Sequence, residues 1–393
     1  MPLLLQEIRG KPGFERFLFS ASEAEMREAA VHGPIVILNV SSHRCDALII
    51  EQSGIRVLEL PHLSRQDIHH RAQDILSLET LGWLWDVVVG PVLDDLGFSK
   101  PLFGDSWPRV WWIPTGPLVR FPIHAAGHHL ERSSDTALDR VVSSYSSSIK
   151  TITRSRQQRG KERTTVSSTN TVLVAMQDTP EQERLEYAIN ETGAVQAVCE
   201  SMGLPYVLPR PYKKEILSAL EACGIFHFAG HGDANGEMPL ASRLLLEDWK
   251  QDPLTVGSLL ETNLSSKSPF LAYLSACGTG QIRHEGSIDE TIHLTSAFQL
   301  AGFRHVVGTL WEVDDKLCVR MARLMYEYLR DWVSDKSISD RSISGGLQHA
   351  SRQLRDDWVR QRRNDQRKDM DRGGRLVEAL VPRGILRNAK AQN

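Results

Sequence analysis

Two apolar runs that end in small residues decide the fold: IFHFAGHGD (residues 225–233) and FLAYLSACGTG (residues 270–280). Each begins with the aromatic and aliphatic residues typical of a buried strand, and each closes on glycines, which predict a turn. The first run places His231 directly after its strand, and the second places Cys277 there. Because ligands of open α/β sheets bind outside the carboxyl ends of the strands, these two residues mark a candidate site.

Strand-like and helix-like segments alternate around these runs. From residue 171 to residue 332, short apolar strands are separated by helical segments. This order predicts an α/β fold with a mainly parallel sheet and helices on both faces. Three of the predicted strands end just before His231, Cys277 and Asp315, so these side chains converge if the three strands are neighbours.

The first third of the chain predicts further strands and a helical region. Residues 34–40, 46–50 and 55–60 have strand character, and residues 64–96 carry a helical stripe that Ser64 would cap. The end of the chain, rich in Arg and Asp from residue 351, predicts a solvated helix and a loose tail. The predicted units are an N-terminal half (1–152), a basic and then Ser/Thr-rich linker or exposed loop (153–170), a second half that carries the site (171–355) and a charged C-terminal tail (356–393).

Composition excludes several classes of protein. A formal net charge of -3 over 393 residues gives no basis for nucleic-acid binding through bulk electrostatics. The sequence predicts neither a secretory signal nor a membrane span. Five scattered cysteines without a C-x-x-C pair argue against a disulfide framework or a zinc knuckle. We therefore expect a cytoplasmic chain with free thiols that needs no metal or cofactor and binds neither nucleic acid nor membrane.

A cysteine and a histidine at neighbouring strand ends can act as a nucleophile and its base. The imidazole lowers the pKa of the thiol or takes its proton, and a backbone N–H, such as that of Gly232, can stabilise a developing oxyanion. Single residues also have plainer explanations. Cys277 can be a packed small hydrophobe, and His227, which lies within the first strand, can be a core histidine. The combination of Cys277, His231, the glycines and the strand-end positions favours the site.

At these residues the chain resembles the CHAT-domain proteins, caspase-like cysteine peptidases related to separase. His231 precedes Cys277 by 46 residues, close to the caspase spacing of roughly 50, and the cysteine motif matches at Ala, Cys and Gly. The resemblance extends from about residue 30 to residue 355, and some of the sequence in this range resembles the CHAT proteins of filamentous fungi. It is carried by VWWIPTGPLVRFPIHAAG (110–127), FHFAGHGD (226–233), LAYLSACGTG (271–280) and SAFQLAGFRHVVGTLWEVDD (296–315).

The resemblance implies a caspase-hemoglobinase-like three-layer sandwich with a mainly parallel central sheet and a non-catalytic N-terminal half. It implies a cysteine endopeptidase with Cys277 as nucleophile, His231 as base, and the N–H groups of Gly232 and Cys277 as oxyanion hole. It further implies that Asp315, in the LWEVDD motif, binds a basic residue (Arg or Lys) at the cleavage point through a charge-assisted contact. The alternatives for this pocket are Asp314, which could instead cap the following helix, Asp289 and Glu290.

The resemblance also suggests partners and an alternative function. Many relatives carry tetratricopeptide repeats, so a sensor or tetratricopeptide-repeat protein is an expected partner beside the protein substrate. The family usually closes with an aromatic-rich strand, whereas this C-terminus turns basic and polar, so no closing strand is predicted. The alternative is a catalytically silent adaptor or scaffold in a signalling or defence assembly. The arginines of the 153–170 segment make it a candidate for self-cleavage: Arg154, Arg156, Arg159 and Arg163.

Overall fold

The computed structural model describes most of the chain. The described residues are 2–12, 14, 17–100, 107–131, 134–158, 170–235, 237–262, 264, 269–276, 294–310, 314–332, 340–371 and 390–392. Most of the predicted 153–170 linker and the predicted turn that begins at Cys277 lie outside them.

The first half of the chain combines strands with short helices. Its strands are β1 (Ile35–Asn39), β2 (Asp46–Ile50), β3 (Ile55–Glu59), β4 (Arg109–Pro114) and β5 (Val142–Tyr145). Its helices are α1 (Pro2–Arg9), α2 (Glu23–Ala29), α3 (Arg65–Arg71), α4 (Leu78–Leu84), α5 (Gly90–Asp95), α6 (Ala137–Arg140) and α7 (Ile149–Gln158). A π-helical segment (Trp85–Val89) joins α4 to α5, and 3₁₀ helices cover Gly116–Arg120 and Ile123–Ala125.

The second half alternates strands and helices, as the sequence predicts. Its strands are β6 (Asn170–Ala175), β7 (Tyr206–Val207), β8 (Cys223–Gly230), β9 (Gly232–Asp233), β10 (Arg243–Leu244), β11 (Leu254–Thr255), β12 (Leu271–Ala276), β13 (His305–Gly308) and β14 (Lys390–Gln392). Its helices are α8 (Ala188–Met202), α9 (Lys213–Leu220), α10 (Val256–Thr262), α11 (Leu294–Ala301), α12 (Asp315–Trp332) and α13 (Asp340–Asp371), with a 3₁₀ helix at Pro239–Ala241.

One large sheet runs through both halves. Within the described residues it has eleven strands in the order β3-β2-β1-β4-β5-β14-β13-β12-β8-β6-β7. Neighbouring strands are parallel except for the pairs β1–β2, β2–β3 and β13–β14. Strands β9, β10 and β11 form a separate small sheet beyond the end of β8. The predicted α/β fold with a mainly parallel sheet is therefore confirmed.

Helices cover both faces of this sheet because side chains alternate along each strand. In β8, Ile225 belongs to a buried cluster that includes residues of α8, α12 and α13, whereas Phe226 and Phe228 belong to a cluster with residues of α9, α10 and α11. In β12, Tyr273 and Leu274 divide between the same two clusters. The result is the three-layer arrangement that the sequence predicts.

The end of the chain is more integrated than the sequence predicts. The solvated helix expected from residue 351 is part of α13, and one side of it is packed: Leu354 is 0% exposed and Trp358 is 5% exposed. Gln348 and Arg355 on the same helix bond to the segment around α6 in the first half. Although no closing strand is predicted there, β14 pairs with β13 and with β5, so it joins the two halves of the sheet.

Two helical regions also differ in detail from the predicted pattern. The stripe over residues 64–96 is divided into α3, α4, the π-helical segment and α5. Ser64 caps α3 as predicted, since its side chain accepts a hydrogen bond from the Asp67 backbone N–H. Residues 153–158 of the predicted linker continue helix α7.

Candidate functional site

The carboxyl ends of the central strands are level with one another. Ala175 of β6 pairs with Ala229 of β8, and Gly230 of β8 pairs with Ala276 of β12. His231 directly follows Gly230, and the next residue in the sequence after Ala276 is Cys277, which lies outside the described residues. The strands before His231, Cys277 and Asp315 are neighbours, in the order β8, β12, β13. The strand order that the prediction assumed is therefore confirmed.

The imidazole of His231 is fixed by a backbone carbonyl. Its Nε2 lies 2.7 Å from the carbonyl oxygen of Glu183, in the loop before α8. Since a carbonyl only accepts hydrogen bonds, Nε2 carries the proton, and Nδ1 of the neutral ring has a free lone pair. The backbone of His231 is fixed as well, because its carbonyl accepts a 2.9 Å hydrogen bond from the N–H of Leu245. In the neutral form of the ring, this contact selects the tautomer whose Nδ1 can accept a proton.

Gly232 opens the small sheet that follows His231. It is the first residue of β9, where it pairs antiparallel with Leu244 of β10. Inside β8, Gly230 is closely surrounded: a Cβ added there would lie 2.6 Å from Cζ of Phe228 and 2.8 Å from Cβ of Met176. The path of the backbone into His231 therefore requires glycine at position 230.

The two aspartates at the start of α12 have different roles. Asp314 is exposed, and its Oδ1 accepts a 3.2 Å hydrogen bond from the Leu317 backbone N–H, so it caps the helix. Asp315 is half-buried, and its Oδ2 accepts a 3.1 Å hydrogen bond from the Tyr187 backbone N–H at the start of α8. Only Asp315 lines the cleft described next.

A small cleft lies at the carboxyl ends of β8, β12 and β13, between the first turns of α8 and α12. Its volume is about 30 Å³, room for roughly two water molecules or for the tip of a side chain. Two carboxylates, Glu191 and Asp315, line it, and no Lys or Arg is among its described lining residues. Its other described lining residues are Leu185, Ala188, Ala229, Gly230, Ser275, Ala276, Thr309 and Cys318. The cleft therefore suits a positively charged group.

A buried chain of hydrogen bonds leads from this cleft into the core. Oε2 of Glu191 accepts a 3.0 Å hydrogen bond from Oγ of Ser275, and Oε1 lies 3.1 Å from Nε2 of His227. Nδ1 of His227 lies 3.3 Å from the hydroxyl of Tyr326. Burial raises the pKa of Tyr326, so its hydroxyl stays protonated and can donate to His227. The ring of His227 also stacks on Tyr273 at 4.6 Å.

His227 is therefore a core histidine, as the sequence predicts, with 0% of its surface exposed. Two features of the site were not predicted. The role of the Glu183 carbonyl cannot be predicted from residue type, because every residue has a backbone carbonyl. Glu191 resembles any acidic residue in the first turn of a helix, and nothing local indicates that it is buried. Asp289 and Glu290, like Cys277, lie outside the described residues.

Within the described residues, no group of three or more His, Cys, Asp and Glu side chains is arranged to bind a metal ion. None of the helices described in the structure combines the length and apolar character needed to cross a membrane. The described part of the site is His231, the residues around it and the acidic cleft.

Comparisons with known proteins give one family. A family model described as the CHAT domain matches residues 78–370. No curated protein matches the chain.

Solved structures resemble the fold at low sequence identity. Separase of Saccharomyces cerevisiae, in two separase–securin complexes, matches with TM-scores of 0.59 and 0.53 at 11% identity. In both, 89% of this chain aligns with 32% of the separase chain, so this chain spans about a third of that length. The Arg-specific cysteine proteinase gingipain R (RgpB) matches with a TM-score of 0.44 at 12% identity, over 72% of this chain and 70% of that chain.

Proposed function

Because the chain belongs to the CHAT-domain family, we propose that it is a cysteine endopeptidase that cleaves protein substrates after a basic residue. The family assignment confirms the resemblance seen in the sequence, and the likeness to separase is one of fold. The observation that carries the proposal is the state of His231, whose Nε2–H donates to the Glu183 carbonyl and whose Nδ1 is left to accept a proton. A general base needs such an unprotonated nitrogen.

In the proposed reaction, Nδ1 of His231 takes the proton of the Cys277 thiol. The thiolate attacks the carbonyl carbon of the scissile peptide bond, and the imidazolium then protonates the departing amine. Water hydrolyses the resulting thioester and releases the carboxylate product. Support for this pairing comes from the register: the residues directly before His231 and Cys277 are opposite one another on strands about 4.8 Å apart.

We assign the oxyanion contacts to the backbone N–H groups of Gly232 and Cys277. Glycine at position 232 leaves room for a substrate carbonyl close to the backbone. The pairing of Gly232 with Leu244 supports this role, because it fixes the chain just after His231. Preorganised donors of this kind stabilise charge that develops only in the transition state.

We propose that the acidic cleft takes the basic side chain that precedes the cleaved bond, with Asp315 as its ligand. Oδ2 of Asp315 accepts the Tyr187 N–H, which orients the carboxylate. Asp314 is a poorer candidate because it caps α12. Asp289 and Glu290 stay alternative predictions, since they fall outside the described residues.

The expected partners are protein substrates and a protein regulator. The separase in the matching structures is bound to securin, and we propose by analogy that a sensor or tetratricopeptide-repeat protein controls this chain. Among the described residues, Cys45, Cys199 and Cys223 are free thiols. Free thiols support the proposed cytoplasmic location, where disulfides are rare.

The proposal is tested with a fluorescent acyloxymethyl ketone that carries arginine before the reactive group. Such a probe forms a thioether with an activated cysteine. We expect labelling of the wild type, none of Cys277→Ala, and strong loss in His231→Ala and Asp315→Asn. Asp314→Asn, one residue away and outside the cleft, is the matched control for Asp315 and should label normally.

Each departure has a distinct meaning. Labelling that survives in Cys277→Ala contradicts the assignment of Cys277 as the nucleophile. Labelling that needs Cys277 but not Asp315 leaves a cysteine peptidase with its basic pocket elsewhere. No labelling of a folded wild type favours the silent adaptor or an enzyme that awaits a partner.

A further inference from the structure

The carboxylate of Glu191 lines the same cleft as Asp315, and the proposed reaction gives it no role. Glu191 is 2% exposed, whereas Asp315 is half-buried, so Glu191 is the deeper of the two groups. A buried carboxylate is costly unless donors or a cation compensate its charge.

The bonding of Glu191 leaves part of its capacity unused. An ionised carboxylate offers about four acceptor positions. The described partners of Glu191 occupy two of them: Ser275 Oγ bonds to Oε2, and His227 Nε2 bonds to Oε1. Glu191 can therefore accept further hydrogen bonds from a cation that enters the cleft.

The two partners also aim the carboxylate. Ser275 lines the cleft, whereas His227 is fixed in the core by Tyr273 and Tyr326. Because both oxygens are held from fixed positions, the side chain does not need to reorganise when a cation enters, and such preorganisation favours binding.

We propose that Glu191 determines specificity: together with Asp315 it binds a guanidinium group, so that the enzyme cleaves after arginine in preference to lysine. This inference rests on the proposed function of the cleft. A guanidinium presents five N–H donors in a rigid plane and can serve two carboxylates at once. The ammonium of lysine is a compact, strongly hydrated charge on a shorter side chain, which the half-buried Asp315 can bind without Glu191.

The test compares two peptide–coumarin substrates that differ only in arginine or lysine before the cleaved bond. In Glu191→Gln, which keeps the size of the side chain, we expect the Arg/Lys ratio of kcat/KM to fall by about tenfold or more. Cleavage after lysine should change little. Asp315→Asn should lower cleavage after both residues. Glu200→Gln is the matched control, because it makes the same change on α8 about 14 Å farther along the helix.

A merely structural role for Glu191 predicts a different result. If the side chain only supports the sheet beneath the cleft, Glu191→Gln lowers cleavage after arginine and lysine by the same factor. An unchanged Arg/Lys ratio therefore overturns the inference, whatever happens to the absolute rates.

A binding experiment separates this inference from the proposed activity. Agmatine carries the guanidinium of arginine, and cadaverine carries the ammonium of lysine. Isothermal titration of Cys277→Ala should show tighter binding of agmatine, and adding Glu191→Gln should remove that advantage. Cadaverine binding as tightly as agmatine to Cys277→Ala overturns the inference, even if Glu191→Gln fails to fold. If agmatine binds as expected but the wild type cleaves neither substrate, the proposed function fails and the assignment of Glu191 stands.

Discussion

Acid should destabilise this protein through His129, which lies between the 3₁₀ helix Ile123–Ala125 and α6. The side chain is 4% exposed, and its Nε2–H donates a 2.7 Å hydrogen bond to the carbonyl of Ala125. Nδ1 has no hydrogen-bond partner among the described residues. Burial, against the opposing effect of the Ala125 hydrogen bond and with a smaller contribution from the nearby charge of Arg355, lowers the pKa of His129 from 6.5 to about 4. The folded protein therefore keeps this ring neutral.

The sign and size of the effect follow from linkage. Between pH 6.5 and about pH 4, the unfolded chain binds a proton at His129 and the folded chain does not. Stability from His129 is thus fully present above pH 6.5 and falls as the pH is lowered. The full loss is about 3 kcal/mol, and about 2 kcal/mol of it is lost by pH 5, before most carboxylates titrate.

The assay is urea unfolding at pH 8 and at pH 5, followed by the fluorescence of the nine tryptophans. His129→Gln keeps an N–H donor near the Nε2 position and cannot titrate. We expect the wild type to lose about 2 kcal/mol more unfolding free energy than His129→Gln between these two pH values.

His128 provides the matched control, because its pKa shifts the other way. A hydrogen bond to Asp86 at 2.9 Å raises the pKa of His128. Its protonation therefore stabilises the folded state as the pH falls, and His128→Gln should make the loss at pH 5 larger rather than smaller. Equal losses in the wild type and His129→Gln would refute the conclusion that His129 is buried as a neutral ring.

Three further substitutions test the packing around the site and the helix that joins the two halves. Asp139→Asn removes the carboxylate that the two terminal guanidinium nitrogens of Arg355 contact at 2.8 Å, and it should cost about 3 kcal/mol in urea unfolding. A loss near zero would contradict a buried pair. Gly230→Ala places a Cβ 2.6 Å from Phe228, so it should cost about 1–3 kcal/mol of unfolding free energy and slow probe labelling. Unchanged stability and labelling would show that the backbone adapts freely. Trp358→Ala should cost about 3–5 kcal/mol, measured by the same unfolding assay, whereas a truly solvated helix would lose almost nothing.

The central sheet could be predicted because its strands are fully buried. Every residue of β8 is buried, and β12 is buried except for Ser275, so both appear in the sequence as continuous apolar runs. The end of α13 could not be predicted in this way. Its apolar residues are spaced among arginines and aspartates, and the burial of Leu354 and Trp358 depends on a sheet built mostly from distant residues.

The roles of single side chains in the acidic cleft also could not be predicted from local sequence. Asp314 and Asp315 are neighbours of one residue type, and their separation into a helix cap and a cleft residue depends on where the start of α8 meets α12. The bond from Arg355 to Asp139 likewise spans 216 residues. Local patterns locate such residues at the correct end of a strand or helix, but their partners are fixed by the packing of distant elements.

His227 and His231 lie in one short run of sequence, yet the structure gives them different environments. Even spacing along a strand would direct both imidazoles toward the same helix layer. The strand ends at Gly230, however, and only His227 remains inside it, where Glu191 and Tyr326 bond to its two nitrogens. His231 lies past the end, half-buried, with Nε2 bonded to a carbonyl and Nδ1 bonded to no other described residue. The end of β8, rather than residue type or spacing, therefore separates the structural histidine from the proposed catalytic one.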